Sequence, residues 1–193
     1  MIFLVGQHCA GKSRISLIFA QAHFLCVDLG PLLREIHQQT APFLPFIDWV
    51  RMGEEAEGRF FTDARLAAEV LRRIGNDSPK HWQDMLIVGN RSLEGVMYLI
   101  EKIGVYRGRK NIIVWVEAPV ETLYRRYGVR NPDCPLSYSD FLDLLEVDNK
   151  IGLSALRNAA EVQLSNTGSE PQLEWLVRTL IRRLGYYTPA LDT

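Results

Sequence analysis

The segment from Met1 to Ser13 constrains this chain more than any other. Ile2-Phe3-Leu4-Val5 is a short apolar run of the kind that forms a buried strand, and Gly6-Gln7-His8-Cys9-Ala10-Gly11-Lys12-Ser13 follows it directly. The spacing Gly6-x-x-x-x-Gly11-Lys12-Ser13 satisfies the phosphate-loop pattern in full, and Ile15, Ile18, Phe19 and Ala22 continue at helical spacing. Strand, glycine loop and helix therefore come in the order the motif requires. The two glycines permit backbone angles that turn successive N–H groups inward, and the helix start adds partial positive charge. Gly6, His8, Cys9, Ala10, Gly11, Lys12, Ser13 and Arg14 are thus candidates to hold the phosphates of ATP or GTP, with Lys12 reaching the β- and γ-phosphates and Ser13 binding Mg²⁺.

The rest of the chain alternates short branched-apolar runs with longer helical patterns, which predicts parallel strands joined by helical crossovers. Expected strands are Ile2 to Val5, Phe24 to Val27, Met85 to Val88, Asn111 to Val116 and Val162 to Leu164. The fold class is α/β, a five-stranded parallel sheet flanked by helices. Leu93, Val96, Met97, Ile100 and Ile103 read as one covering helix, with Ser92 as its N-cap. Leu173, Leu176, Val177, Leu180, Ile181 and Leu184 read as another. Residues 30–80 carry helical patterns without a convincing strand (Leu32, Leu33, Ile36, then Ala64, Ala67, Ala68, Leu71), a helical excursion suited to binding a second substrate. Residues 125–138, with Arg130, Pro132 and Pro135, read as a short lid whose irregular part runs from Gly128 to Ser137. One domain over 1–184 and a loose tail, over 185–193 and including Tyr186, complete the outline.

In open α/β sheets ligands gather beyond the carboxyl ends of the strands, so polar residues there outrank others. Asp28, after the second strand, can accept a proton from an acceptor hydroxyl or hold a metal-bound water; its plain structural role is to cap the next helix. Arg34 and Arg91 face the same sheet edge and suit an anionic substrate, since a guanidinium pairs two oxygens of one phosphate. Arg125, Arg126 and Arg130 cluster at the lid, where Arg126 and Arg130 are candidates to stabilise charge on the transferring phosphoryl. Asp148 and Glu146, on the helix after the lid, either position those arginines or are simply exposed. His8 is expected to face solvent. The candidate catalytic set is Lys12, Asp28, Arg91, Arg126 and Arg130, with Asp28, Arg34 and Arg91 on the substrate and Ser13 and Asp28 on the metal.

Composition narrows the partners. Lys and Arg number 22 against 23 Asp and Glu, so there is no global field to gather nucleic acid or an anionic membrane. Aromatic residues are not interleaved with a basic stripe, and no apolar run approaches the ~18 residues of a membrane span. Cys9, Cys26 and Cys134 show no ligand spacing and are odd in number, which predicts reduced thiols and a cytoplasmic location. The four histidines lack metal-ligand spacing. The partner expected is a small-molecule phosphate acceptor; a homo-oligomer is compatible with the composition.

With phosphate loop, second-strand acid, helical excursion, Arg91 and arginine-bearing lid in this order, the chain resembles the nucleoside/nucleotide kinase group of P-loop proteins over about residues 1–184. Ile87-Val88-Gly89-Asn90-Arg91-Ser92-Leu93-Glu94 is similar to the DGxRSxxE segment of its dephospho-CoA kinase and adenylate-kinase-like branch. Asp140 through Asp148, Gly152 and Ala160 to Ser169 resemble that branch's ending, and the resemblance makes Asn166 a contact for the adenine base. It implies an ATP- and Mg²⁺-dependent kinase acting on a nucleotide or nucleotide-like acceptor. The sequence departs from the group at Val88, where an aspartate that orders Mg²⁺ through water usually stands. That departure motivates the alternative of a nucleotide-binding regulatory or assembly protein with weak NTPase activity.

Overall fold

The structure, a computed structural model, describes residues 1–76, 84–104 and 109–186. Its frame is a five-stranded sheet of β1 (Ile2–Gly6), β2 (Phe24–Asp28), β3 (Asp84–Val88), β4 (Ile112–Glu117) and β5 (Val162–Ser165), in the order β2-β3-β1-β4-β5. Every pairing is parallel, with Phe3 opposite Ile87 and Ile113, and Asp28 opposite Val88. A parallel sheet needs helices on both faces, which is why its central strands are apolar at every position rather than at every second one. β1 and β3 are buried along their whole lengths.

Alternation along the strands divides the interior into two cores. On one face Ile2, Leu4, Leu86, Val88, Val114 and Val116 meet α1 (Lys12–Gln21), α6 (Val120–Arg130), α7 (Tyr138–Asp148) and α9 (Glu170–Arg183). On the other face Phe3, Val5, Met85, Ile87, Ile113 and Trp115 meet α2 (Leu29–Thr40), α4 (Phe61–Asn76), α5 (Leu93–Ile103) and α8 (Ser154–Ala159). The excursion between β2 and β3 holds α2, α4 and, between them, α3 (Phe46–Glu57), which the Pro42 and Pro45 break concealed in the sequence. His37 is buried there, its Nε2 2.7 Å from the Leu44 carbonyl and its ring against Trp49.

Three details differ from the sequence reading. Leu71, Met97 and Leu176, counted among apolar stripes, are exposed. Arg125, Arg126 and Arg130 stand on α6, which continues to Arg130, so the irregular part of the expected lid is the connection 131–137. Tyr186, expected to open a loose tail, is buried: its ring packs on Phe24 and its hydroxyl donates to the buried Asp84 carboxylate. Its neighbours 187–193 lie outside the described residues, as does the end of the excursion at 77–83. Cys9, Cys26 and Cys134 are free thiols. Among the described residues no helix is long and apolar enough to cross a membrane.

Candidate phosphate-transfer site

The loop between β1 and α1 takes the conformation its glycines make possible. Gly6 has φ 153° and lies so close to β4 that a Cβ would sit 2.4 Å from the Val116 carbonyl oxygen; Gly11 has φ 98°. Cys9 also adopts positive φ, at 60°, which a residue with a side chain seldom does. Lys12 curls back across the loop, its Nζ donating to the carbonyls of Gly6 at 2.7 Å and Gln7 at 2.8 Å. Burial lowers the Lys12 pKa to about 8, with Asp148 and Asp28 opposing that shift and Arg91 adding to it. An incoming phosphate would give this ammonium the counter-charge that the two carboxylates supply only in part.

Beyond the sheet edge the loop opens into a cavity of about 580 Å³. Five cations line it, Lys12, Arg34, Arg91, Arg126 and Arg130, against two carboxylates, Asp28 and Asp148. A chain with net charge −1 thus concentrates positive charge in one concavity, where low-dielectric walls strengthen its hold on anions. Gly6, His8, Cys9, Ala10, Gly11 and Ser13 line the same space, as does Val88, 1% exposed at the end of β3.

Asp28 caps its helix and also faces the cavity. Its Oδ1 accepts from the Gly30 N–H at 3.1 Å, capping α2, while the carboxylate faces the cavity beside Gly89. Because Asp28 pairs in register with Val88, the sheet carries a carboxylate one strand away from the position where β3 lacks one. Arg34 lies one turn along α2 and, like Arg130, has no hydrogen-bond or ion-pair partner among the described residues. Ser92 caps α5, accepting from the Gly95 N–H at 3.0 Å, and so fixes the backbone that carries Arg91.

Two expectations are corrected by the geometry. Arg126 lines the cavity but does not stand free in a lid: its Nη2 donates to the Asn166 carbonyl at 3.1 Å and its Nη1 lies 3.5 Å from the Cys9 carbonyl. His8 is held rather than turned to solvent: it is 33% exposed and its Nε2 lies 3.2 Å from Asp148 Oδ2 and 3.2 Å from Arg91 Nη2. Asp148 therefore meets Arg91 and His8, not the arginines of α6, and its Oδ1 is 3.2 Å from Arg91 Nη1. Arg125 is exposed outside the cavity and Glu146 pairs with Lys150, so neither joins the site.

A second hollow of about 230 Å³ adjoins the loop, lined by Gly11, Arg14, Arg126, Asn166, Gly168, Glu170 and Leu173. Asn166 is its fixed wall: Nδ2 donates to the Ala10 carbonyl at 2.7 Å and the backbone N–H to Glu117 at 2.8 Å. Arg14 lines this hollow and pairs with Glu170. The residues that sequence reasoning passed over are Asn90 and Leu153. Both line the main cavity, and the buried Asn90 Oδ1 has no hydrogen-bond partner among the described residues. Leu153 belongs to no local pattern that would have singled it out, and Asn90 stands at the unspecified position of the segment Ile87 to Glu94.

No protein-family model matches the chain. Over 191 residues, 95% of its length and 95% of the relative's, it is 26% identical to a UPF0200 protein of Thermococcus gammatolerans. Among solved structures it is similar to shikimate kinase from Acinetobacter baumannii in complex with shikimate, at 21% identity and a TM-score of 0.52 over 95% of this chain and 92% of that one. It is also similar to a gluconokinase from Sinorhizobium meliloti, at 14% identity and a TM-score of 0.58 over 95% and 91%. The five-stranded parallel sheet with helices on both faces is the fold of these P-loop kinases.

Proposed function

We propose that this protein is a kinase that transfers the γ-phosphoryl group of ATP to a small anionic acceptor, a nucleotide or nucleotide-like molecule. The observation that carries the reading is the sharing of one cavity by the phosphate loop, Asp28, Arg34 and Arg91. A protein that only held a nucleotide would have no need of a carboxylate and an unpaired guanidinium on the far side of the phosphates. The solved structures similar to this chain include a shikimate kinase and a gluconokinase, which supports the same reaction class without fixing the acceptor.

In this reading the loop amides and Lys12 hold the β- and γ-phosphates, and the hollow bounded by Asn166 and Arg126 takes the base. Arg34 and Arg91 pair with the acceptor's anionic group and turn its hydroxyl or phosphate oxygen toward the γ-phosphorus. That oxygen forms the new P–O bond as the bond to the β–γ bridging oxygen breaks and ADP leaves; where the nucleophile is a hydroxyl, its proton passes to Asp28. Arg130 stabilises charge on the equatorial oxygens. The hard oxygen donors Ser13 and Asp28 fit Mg²⁺, which takes most of its ligands from phosphates and water and supplies neutralisation of phosphate charge.

The test is ADP release measured with ATP and a panel of nucleoside monophosphates, dephospho-CoA and small hydroxy acids. An acceptor that raises turnover above the acceptor-free rate supports the kinase. Tight nucleotide binding with no stimulation by any acceptor would favour the second reading, a nucleotide-binding regulatory or assembly protein, for which Val88 is the specific observation. Lys12→Ala removes nucleotide-dependent thermal stabilisation under either reading, and unchanged stabilisation would remove the loop from the site.

A further inference from the structure

We infer that Asp148 is a positioning residue, which holds the Arg91 guanidinium at the mouth of the phosphate loop and ties its placement to α7. The inference rests on the kinase reading for its consequence in turnover, though not for the contact itself.

Asp148 ends α7 and is 3% exposed, yet it is charged and lines the cavity. Burial raises its carboxyl pKa, but the hydrogen bond and charge of His8, with Arg91 and Lys12, outweigh this and hold it below the ordinary value. A buried carboxylate is retained at such a position only where cations and donors compensate its desolvation. Here the compensation comes from two separate segments: His8 and Lys12 in the phosphate loop, and Arg91 after β3. One carboxylate thus gathers the groups that would surround the transferring phosphoryl. Its Oδ1 faces Arg91 Nη1 at 3.2 Å but makes no hydrogen bond, so the pair is an ion contact with room to tighten.

The backbone gives a second, independent link. Directly after α7 the chain makes a π-helical turn, Asn149–Leu153, broken at Gly152 with φ 132°. A Cβ on Gly152 would lie 3.2 Å from Ser92 Cβ and 3.5 Å from the Arg91 carbonyl oxygen. One turn of chain therefore grips Arg91 twice, by its side chain through Asp148 and by its backbone through Gly152. Leu153 continues into the cavity wall. The buried acid of this site comes from α7, while β3 offers Val88 in the corresponding edge position.

The decisive comparison uses Asp148→Asn, Arg91→Ala and the double variant. Three readouts apply: nucleotide affinity by calorimetry, kcat with the acceptor, and the Arg91 Nε–Hε NMR signal, assigned by its loss in Arg91→Ala. Positioning predicts that Asp148→Asn lowers kcat by about 10- to 100-fold, leaves nucleotide Kd within about threefold or tighter, and adds little to Arg91→Ala. It also predicts a shifted or broadened Arg91 signal in the nucleotide-bound protein. Arg91→Lys, at a half-exposed position where folding is not at stake, reads the contact from its other end and should lose turnover similarly. Independent effects that multiply in the double variant, or an Arg91 signal unchanged by Asp148→Asn, would overturn the inference. If the wild type transfers phosphate to no acceptor the kinase reading fails, and the Arg91 signal alone then decides the positioning.

Discussion

At the scale of single residues, Lys12 and Asp28 each make a structural contact and face the candidate site. Lys12 without ligand has a pKa lowered to about 8 by burial, below the 10.5 of an ordinary lysine. Between those values the unfolded chain binds more protons than the folded one, so stability of the ligand-free protein rises as pH passes through that window. Nucleotide binding runs the other way, because phosphates require the ammonium and retain its proton. Affinity for ATP should be flat in the neutral range and fall by up to ~10-fold per pH unit above the Lys12 pKa, with proton uptake visible by calorimetry in buffers of different ionisation enthalpy. An affinity that does not change across that range would contradict the assignment. Asp28 is separated by two substitutions. Asparagine caps a helix as well as aspartate does, so Asp28→Asn should keep thermal stability and lose turnover, whereas Asp28→Ala should lose turnover and about 1 kcal/mol of stability as well.

At the scale of elements, the junction of α7 and α8 does more than connect. The φ of 132° at Gly152 belongs to a region that side chains rarely occupy, and the nearest atoms are the Cα and Cβ of Ser92. Gly152→Ala should destabilise the protein by about 1–3 kcal/mol in thermal or denaturant unfolding. It should also disturb Arg91, because Ser92 is both the contact and the N-cap of α5. A variant with native stability and native nucleotide response would mean the junction yields without consequence. The same logic explains Gly11, where a Cβ would fall 2.1 Å from Asn166 Nδ2: the loop and the β5 end close on each other only because that side chain is absent.

At the scale of the whole molecule, the two cores are joined through strands buried on both faces, and the end of α9 is fastened back to the sheet. Asp84 starts β3 with no exposure and is met by the Tyr186 hydroxyl, the Met85 N–H and, at 3.3 Å, the Met1 amino group. Burial, followed by the hydrogen bond and charge of Asp84, holds the Tyr186 pKa above its ordinary value, so this clasp persists at alkaline pH. Tyr186→Phe should cost about 1–3 kcal/mol by denaturant unfolding, since Asp84 stays buried with one partner fewer. A loss within a few tenths of a kcal/mol would show that the α9 end contributes only its ring.

The sequence by itself determined the strand set, the helical crossovers and the phosphate loop, because each is written in neighbouring residues. Apolar runs, helical spacing and glycine positions act within a few residues of one another, so Ile2 to Ser13, Phe24 to Asp28 and the Ser92 cap were legible directly. Asp28, Arg34 and Arg91 were legible as candidates because parallel sheets bring strand ends to one edge. Only the tertiary structure decided what those residues meet. Asp148 reaches His8 across most of the chain and Arg91 from a distant segment, Arg126 turns to Asn166, and Tyr186 folds back onto Asp84. Charge pairing depends on through-space distance and on burial, and no local pattern of residues records either.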